Sequence, residues 1–241
     1  MTDQTPPLSL SSIAITRLDD QTLYASAELA PITPRIFLQW RIPFIYHFLK
    51  QALLGSTWQY LPAVQDARTR ARQIRQRQRL GVRALLHHLL GTLGIVDALD
   101  EQRFPYRLVK TGKYVCFSHS QTCVAVALSD MHPIGIDVET QAIDWRVAKR
   151  FYHADDVRQL QRLPIDKRAM VSLWLWQIKE SFIKIHQYTL AQGLGVHYAN
   201  LVAALIAISD EPTTPVSITL DSHTVHLAHT PSITVVYKIA H

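Results

Sequence analysis

The chain has 241 residues, of which 48% are hydrophobic and 18% are charged, a composition that excludes an intrinsically disordered or fibrous protein. Lys and Arg number 25 and Asp and Glu number 19, so the formal net charge at pH 7 is +6 with His neutral. This positive charge predicts an anionic partner and leaves nucleic acid, nucleotide phosphates and acidic proteins open.

The two cysteines, Cys116 and Cys123, lie in one apolar stretch, and their spacing fits neither a metal knuckle nor a disulfide-rich scaffold. We therefore predict a reduced, cytoplasmic protein with both cysteines in the core. The first residues lack the basic and apolar regions of a secretory signal. The longest apolar run, Leu201 to Ile208, is much shorter than the roughly 20 residues of a membrane helix, so we expect no membrane association.

The first half of the chain predicts strands followed by two helices. Residues 8–29 alternate as strands do, and Phe37 to Leu54 forms an apolar, aromatic pattern typical of a helix after two prolines. A second helix is predicted from Ala67, with Gly91 as its stop. Its arginines step by four, three, four and four residues and so share one exposed side: Arg68, Arg72, Arg75, Arg79 and Arg83.

The second half predicts a strand pair, three helices and a strand-rich tail. Val115 to Leu128 and Ile134 to Val138 are predicted to form a hairpin around the turn at Asp130–Pro133. The predicted helices are Asp144 to Phe151, Asp155 to Leu163 and Lys167 to His186, and strands follow from Ser217 to Ala240. No low-complexity linker divides the chain, so any two halves must pack closely.

Two carboxylates occur in the stretch GIDVE. Asp137 and Glu139 are two residues apart on a predicted strand, so their side chains lie on the same face. Neighbouring carboxylates suit Mg²⁺, which takes one or two of them together with phosphate oxygens and water. A strand end with two solvated acids explains the same residues, and both interpretations stay open here.

An acid and a base lie beside a tryptophan in the stretch WQIKESFIK. Trp176, Glu180 and Lys184 are spaced four residues apart and so share one face of a helix. Glu180 followed by Lys184 is also the favourable order for an ordinary surface salt bridge, worth about 0.3 to 0.5 kcal/mol. The spacing therefore indicates either a site or a stabilised helix surface.

The stretch FSHS precedes GIDVE along the chain. Ser118 and His119 are adjacent on a strand and so point to opposite faces, which makes a direct nucleophile and base pair geometrically poor. A phosphate contact is easier to build from either side chain, and a backbone-bonded histidine at a strand end is the alternative. Lys113 follows Gly112 in a basic turn that could hold a phosphate or only connect two strands.

Taken together, these stretches resemble the Sfp-type 4′-phosphopantetheinyl transferases. The resemblance rests on their order along the chain: Gly112-Lys113, then FSHS, GIDVE, Trp176-x-x-Lys179-Glu180-Ser181-x-x-Lys184, and Gly193-Leu194-Gly195. It implies an α+β fold of two similar halves related by a pseudo-twofold, each a small, mainly antiparallel sheet packed on helices. We place these halves at residues 1–128 and 129–241, with most of the metal site in the second. Tyr114 follows Gly-Lys where the family usually has proline, and Phe117 replaces the usual asparagine.

The resemblance also implies an activity, namely transfer of the 4′-phosphopantetheine arm of coenzyme A to a carrier-protein serine, releasing adenosine 3′,5′-bisphosphate. Asp137, Glu139 and Glu180 would hold Mg²⁺, and Glu180 would take the serine proton. Lys184 would neutralise the leaving bisphosphate, which makes the catalytic set Glu180, Lys184 and Asp137. The residues expected to contact coenzyme A are Lys113, Ser118, His119, Arg77, Arg83, Lys179 and Lys184.

The expected partner is an acidic acyl or peptidyl carrier protein, which the exposed basic helix from Arg68 to Arg83 would attract. We expect a monomer, because the chain already contains two halves. Two other functions remain open. One is a nucleic-acid-binding protein that uses the same arginines and leaves the acidic motifs without a role. The other is a module that binds coenzyme A without catalysis.

Overall fold

The computed structural model describes residues 8–30, 67–210, 215–229 and 231–239. These residues form two antiparallel sheets with helices on their outer faces, which confirms the predicted α+β class. The pseudo-twofold relation between the halves and the boundary at residue 128 remain predictions. The helix predicted for Phe37 to Leu54 lies outside the described residues.

The first sheet comes from the N-terminal part of the chain and has the strand order β1-β2-β6-β5-β4-β3. Its strands are β1 (Leu10–Arg17), β2 (Thr22–Leu29), β3 (Leu99–Asp100), β4 (Tyr106–Leu108), β5 (Tyr114–Ser120) and β6 (Cys123–Ser129). The second sheet has the order β7-β10-β9-β8. Its strands are β7 (Gly135–Val138), β8 (Val216–Leu220), β9 (His223–His229) and β10 (Ser232–Tyr237).

Six helices lie in the described ranges. They are α1 (Ala67–Thr92), α2 (Trp145–Phe151), α3 (Ala154–Gln161), α4 (Ile165–His186), α5 (Leu190–Gly195) and α6 (Leu201–Asp210). Among these described helices, none is long and apolar enough to cross a membrane.

The layers follow from alternation along β6. Val124, Val126 and Leu128 face α1, whereas Ala125 and Ala127 face the second sheet. Because both faces are covered, the whole strand is buried and reads as a continuous apolar run. The order of layers is therefore α1, first sheet, second sheet, and then α4 with the remaining C-terminal helices.

The predicted hairpin between residues 115–128 and 134–138 is wrong. Val115 to Leu128 is itself a hairpin of β5 and β6, with Gln121 in the left-handed region at its turn (φ 48°). β7 instead pairs with β10 in the second sheet. The predicted stop of α1 at Gly91 is also wrong, because Gly94 (φ 68°) ends the helix, with the N–H of Ile95 bonded to the carbonyl of Leu90 (2.9 Å).

β7 packs directly against the backbone of α4. A Cβ added at Gly135 would lie 2.1 Å from the carbonyl oxygen of Ser181, so only glycine allows this approach. The predicted helix of residues 167–186 is confirmed with two additional residues at its start, and it ends at Gln187 in the left-handed conformation (φ 58°). The contact brings the residues after Gly135 beside one face of α4.

Both cysteines are buried and free. Cys116 and Cys123 pack in the cluster between the two sheets, and burial raises the pKa of each thiol. The prediction that they act as core residues is confirmed.

A candidate carboxylate site between the sheets and helix α4

Asp137 lies inside β7 and is 8% exposed. Its Oδ1 accepts hydrogen bonds from Ser118 Oγ (2.9 Å) and Lys184 Nζ (3.0 Å), and Ser118 Oγ accepts one from the N–H of Val138 (3.2 Å). Burial raises the pKa of the Asp137 carboxyl. The charge and hydrogen bond of Lys184 and the hydrogen bond from Ser118 lower this pKa, and the negative charge of Glu139 raises it. The pKa of Asp137 ends above its ordinary value. The group is a buried carboxylate held at one oxygen by a cation and a hydroxyl.

Glu139 follows the last residue of β7. Its Oε1 accepts hydrogen bonds from Ser120 Oγ and from the backbone N–H groups of Thr140 (2.8 Å) and Gln141 (3.2 Å). Ser120 Oγ in turn accepts from the N–H of Thr140 (3.3 Å). Like Asp137, Glu139 is therefore held by protein donors through a single oxygen.

Glu180 faces these two carboxylates from α4 and is half-buried. Burial raises its pKa, Lys184 lowers it, and the negative charges of Asp137 and Glu139 raise it, so the pKa ends above its ordinary value. It accepts no hydrogen bond from the residues that the structure describes. A carboxylate with a raised pKa and free oxygens is a better proton acceptor than an ordinary surface acid.

Lys184 brings a positive charge into this group. Its Nζ donates to the carbonyl of Ile136 (2.6 Å) and to Asp137 Oδ1. Burial lowers its pKa, but the nearby Asp137, Cys116 and Glu180 raise it, and the pKa ends above its ordinary value. The ammonium is therefore charged at neutral pH and partly offsets the repulsion among the acids.

The three carboxylates offer the hard oxygen donors that Mg²⁺ prefers. Within the described ranges, no donor reaches Asp137 Oδ2 or Glu139 Oε2, and both oxygens of Glu180 are free. No group of three or more His, Cys, Asp or Glu side chains in those ranges lies close enough together to hold a metal ion. The donor chemistry fits Mg²⁺, while this conformation does not form a ready three-ligand cluster.

His119 lies on the opposite face of β5 from Ser118. Ser118 is buried against β7 and His119 is exposed, as the alternation of the strand predicts. Partial burial lowers the pKa of His119, the charges of Lys184 and of Arg79 on α1 lower it further, and Asp137 opposes them. The imidazole therefore lies beside the cation-rich surface of α1, at the edge of the carboxylate group.

Other predicted coenzyme A ligands lie elsewhere. Lys113 forms an ion pair with Asp130. It precedes β5 at the end opposite Ser118, and five residues of extended strand place these two residues roughly 16 Å apart. Arg83 forms two hydrogen bonds of 2.7 Å with Glu101. Arg77 donates to the carbonyl of Ala30. The structure does not bring these three cations together with the carboxylates, and their contact with coenzyme A stays a prediction.

Lys179 is fully buried although Glu180 beside it is not. Its Nζ donates to Asp156 Oδ2 (2.7 Å) and to the carbonyl of Leu194 (2.7 Å), and its side chain is 0% exposed. Asp156 also bonds His197 (2.7 Å). This ion pair joins α4 to α3 and to the end of α5. Such enclosure does not support the predicted contact between Lys179 and coenzyme A.

The sequence reasoning assigned no role to Ser120 or Asp156. The signal for Ser120 was available, because the alternation that separates Ser118 from His119 places Ser120 on the same face as Ser118. No comparable signal marked Asp156, which is 23 residues from Lys179 along the chain. Its importance comes from the packing of α3 on α4.

Comparison with known proteins connects this geometry to a family. Residues 133–233, which include the three carboxylates and Lys184, match the sequence profile of the 4′-phosphopantetheinyl transferase superfamily. The matched segment begins just before β7 and ends within β10. It therefore contains β7, β8, β9, the first two residues of β10 and α4, and it excludes β5.

Individual relatives are similar over parts of their length. The chain is 40% identical over 112 residues to the 4′-phosphopantetheinyl transferase gsp of Aneurinibacillus migulanus, covering 42% of this chain and 47% of the relative. It is 36% identical over 85 residues to psf-1 of Bacillus pumilus, covering 35% and 36%. It is 41% identical over 68 residues to Sfp of Bacillus subtilis strain 168, covering 28% and 30%.

These matches span less than half the length of each relative named. The segment that matches the superfamily profile is the one that carries Asp137, Glu139 and Glu180. The resemblance to the Sfp-type enzymes is therefore confirmed, with residues 133–233 matching the profile of the 4′-phosphopantetheinyl transferase superfamily.

Proposed function

We propose that this protein transfers the 4′-phosphopantetheine arm of coenzyme A to a serine hydroxyl of a carrier protein and releases adenosine 3′,5′-bisphosphate. The observation that carries the proposal is the meeting of Asp137, Glu139, Glu180 and Lys184 where β7 packs on α4. These four residues lie in the segment that matches the superfamily.

In the reaction, the serine oxygen bonds to the phosphorus on the pantetheine side of the pyrophosphate. The bond from that phosphorus to the bridging oxygen breaks, and the bisphosphate leaves with the electron pair. The serine proton goes to Glu180, directly or through water. Glu180 suits this role because its pKa is raised and because the described residues leave both of its oxygens free.

Asp137, Glu139 and Glu180 are the residues that would hold Mg²⁺, through the oxygens to which no described donor bonds. When bound, Mg²⁺ would supply charge neutralisation at the pyrophosphate. The protein contributes Lys184, whose ammonium is fixed by Ile136 and Asp137. That fixed positive charge would stabilise the charge that develops on the leaving bisphosphate.

His119 is our candidate for a phosphate contact beside this group. Its side chain is exposed and lies within the electrostatic reach of Lys184 and Arg79. A phosphate bound here would meet the positive charges of Lys184 and Arg79 and an imidazole that can donate a hydrogen bond. Ser118 already donates its hydroxyl to Asp137, so we assign it to the carboxylate site.

The partner that we propose is an acidic carrier protein, in keeping with the net charge of +6. Nucleic-acid binding is not favoured, because it would leave the buried group of Asp137 and Lys184 without a role. A module that only binds coenzyme A also has no need for Glu180, whose carboxylate accepts no hydrogen bond within the described ranges.

The release of adenosine 3′,5′-bisphosphate tests the reaction. The purified protein is incubated with coenzyme A, Mg²⁺ and an apo carrier protein, and nucleotides are separated by chromatography. We expect bisphosphate to form only when coenzyme A and the carrier are both present. Loss of coenzyme A without a carrier would indicate hydrolysis and contradict the proposal, as would the absence of bisphosphate with every apo carrier tried.

A further inference from the structure

Two serines of β5 bind two carboxylates of the β7 region in the same way. Ser118 Oγ donates to Asp137 and accepts from the N–H of the next residue, Val138. Ser120 Oγ donates to Glu139 and accepts from the N–H of the next residue, Thr140. The spacing of two residues on both strands produces this repeat, because side chains of alternate residues share a face.

The repeat occupies one oxygen of each carboxylate. Ser118 and Lys184 share Asp137 Oδ1, while Ser120 and two backbone N–H groups share Glu139 Oε1. The second oxygen of each carboxylate has no donor within the described ranges. A carboxylate held in this way cannot turn to offer both oxygens to one cation.

Ser120 connects Glu139 to the first sheet, because its hydroxyl on β5 donates a hydrogen bond to Glu139 Oε1. The other donors to Oε1 are the N–H groups of Thr140 and Gln141, which follow Glu139 in the chain and move with it. Ser120 is 8% exposed, so its hydroxyl is held by packing. Its position therefore fixes Glu139 relative to β5.

We propose that Ser120 is a positioning residue that fixes Glu139 through Oε1 and offers Oε2 as its single oxygen to a divalent cation. One-oxygen ligation suits Mg²⁺, whereas Ca²⁺ takes more ligands and often binds both oxygens of a carboxylate. Ser120 therefore favours Mg²⁺ over Ca²⁺ at this site. The inference rests on the proposed function only for the identity of the cation.

The test measures metal binding directly. Isothermal titration calorimetry with MgCl₂ and with CaCl₂ is performed on the full chain, the variants Ser120→Ala and Ser120→Thr, and the control Ser129→Ala. Ser129 is a buried serine at the other end of the β5–β6 pair, opposite Tyr114. Ser129→Ala therefore makes the same side-chain change away from the carboxylates.

We expect Ser120→Ala to weaken Mg²⁺ binding about 10-fold, as removal of a hydrogen-bond partner of a metal ligand typically does. Ca²⁺ binding should fall less, because a freed Glu139 can offer both oxygens. Ser120→Thr keeps the hydroxyl and should retain the Mg²⁺ affinity, and Ser129→Ala should match the wild-type chain.

Three results would overturn the inference: a wild-type chain that binds no Mg²⁺, an unchanged Mg²⁺ affinity in Ser120→Ala, or an equal loss in Ser129→Ala. The transfer assay separates this inference from the proposed function. A chain that loses Mg²⁺ affinity on Ser120→Ala yet transfers nothing supports the positioning role and contradicts the function. A chain that transfers normally but whose Mg²⁺ affinity is unchanged by Ser120→Ala supports the proposed function and contradicts the positioning role.

Discussion

Lys179 and Lys184 lie five residues apart on α4 in different environments. Lys179 is enclosed with Asp156 and the carbonyl of Leu194, whereas Lys184 reaches the edge of β7 beside Asp137. The first lysine joins helices, and the second lies among the carboxylates. Their substitutions should therefore have different consequences.

Lys179→Met should lower the free energy of unfolding by about 3–5 kcal/mol, because it leaves Asp156 buried without its partner. Urea denaturation followed by circular dichroism measures this change. The control is Lys167→Met, which breaks a pair with the exposed Asp210 and should cost about 1 kcal/mol or less. Unchanged stability together with a raised KM for coenzyme A would instead make Lys179 a ligand.

At the scale of elements, the site depends on how closely β7 approaches α4. Gly135 touches the backbone of α4 at Ser181, and the next residues of β7 carry Asp137 and the carbonyl that binds Lys184. Any side chain at position 135 must push the strand away from the helix. The distance between Asp137 and Glu180 would then increase.

Gly135→Ala should therefore destabilise the protein by about 3 kcal/mol or more, since backbone atoms cannot yield as a side chain can. The matched control is Gly91→Ala on α1, where an added Cβ meets nothing within 4 Å. That change should stabilise the helix by about 0.5–1 kcal/mol. Thermal denaturation of both variants checks the two signs, and a neutral Gly135→Ala would contradict the close packing described here.

β9 carries three histidines whose Nε2 atoms are buried without a hydrogen-bond partner among the described residues: His223, His226 and His229. Burial lowers the pKa of His223 to about 4, with Lys238, His186 and His132 adding to the effect and Asp221 opposing it. The unfolded chain has an ordinary histidine pKa near 6.5. Protonation therefore favours the unfolded state.

Because the pKa of His223 is lowered in the folded state, the folded protein loses stability as the pH falls. The contribution of His223 to stability is complete above pH 6.5 and declines as the pH falls towards 4, by about 1–2 kcal/mol at pH 5. His223→Gln should reduce the loss of stability between pH 7.5 and pH 5, measured by urea denaturation at about those two values. His87→Gln, a change at an exposed position of α1, should leave the pH dependence unaltered, and an equal effect in both variants would contradict the assignment.

At the scale of the whole molecule, positive charge is concentrated on the exposed side of α1. Arg72, Arg75 and Arg79 are exposed and form no salt bridge with any residue in the described ranges, whereas Arg83 is paired with Glu101. Unpaired cations on one helix face attract an acidic partner and increase its rate of encounter.

Charge reversal by Arg72→Glu with Arg75→Glu should raise the KM for an acidic carrier more than the KM for coenzyme A. Added salt should have the same effect on the wild-type chain, because it screens exposed charges. The control is Arg146→Glu with Lys149→Glu, two exposed positions on α2 that change the net charge equally. A rise in the KM for coenzyme A alone would place α1 in the nucleotide site.

The sequence predicted the parts of this molecule that depend on neighbours in the chain. The spacing of Glu180 and Lys184, and the alternation of Asp137 with Val138, are local properties, so the site-forming faces of α4 and β7 were predictable. The pairing of β7 with β10 was not, because it joins residues about a hundred positions apart and competes with a plausible local hairpin. The enclosure of Lys179 was missed for the same reason, since Asp156 belongs to another helix.

We propose that the group of Asp137, Glu180 and Lys184 catalyses transfer to a carrier serine. Intact mass spectrometry of an apo carrier tests it after incubation with coenzyme A and Mg²⁺, with the wild-type chain, with Glu180→Gln, and with the exposed control Glu28→Gln. We predict that the wild-type chain and Glu28→Gln add one phosphopantetheine unit, that Glu180→Gln adds none in the same time, and that a chelator stops the reaction. An unmodified carrier with the wild-type chain, or equal modification by Glu180→Gln, would contradict a catalytic role for this group.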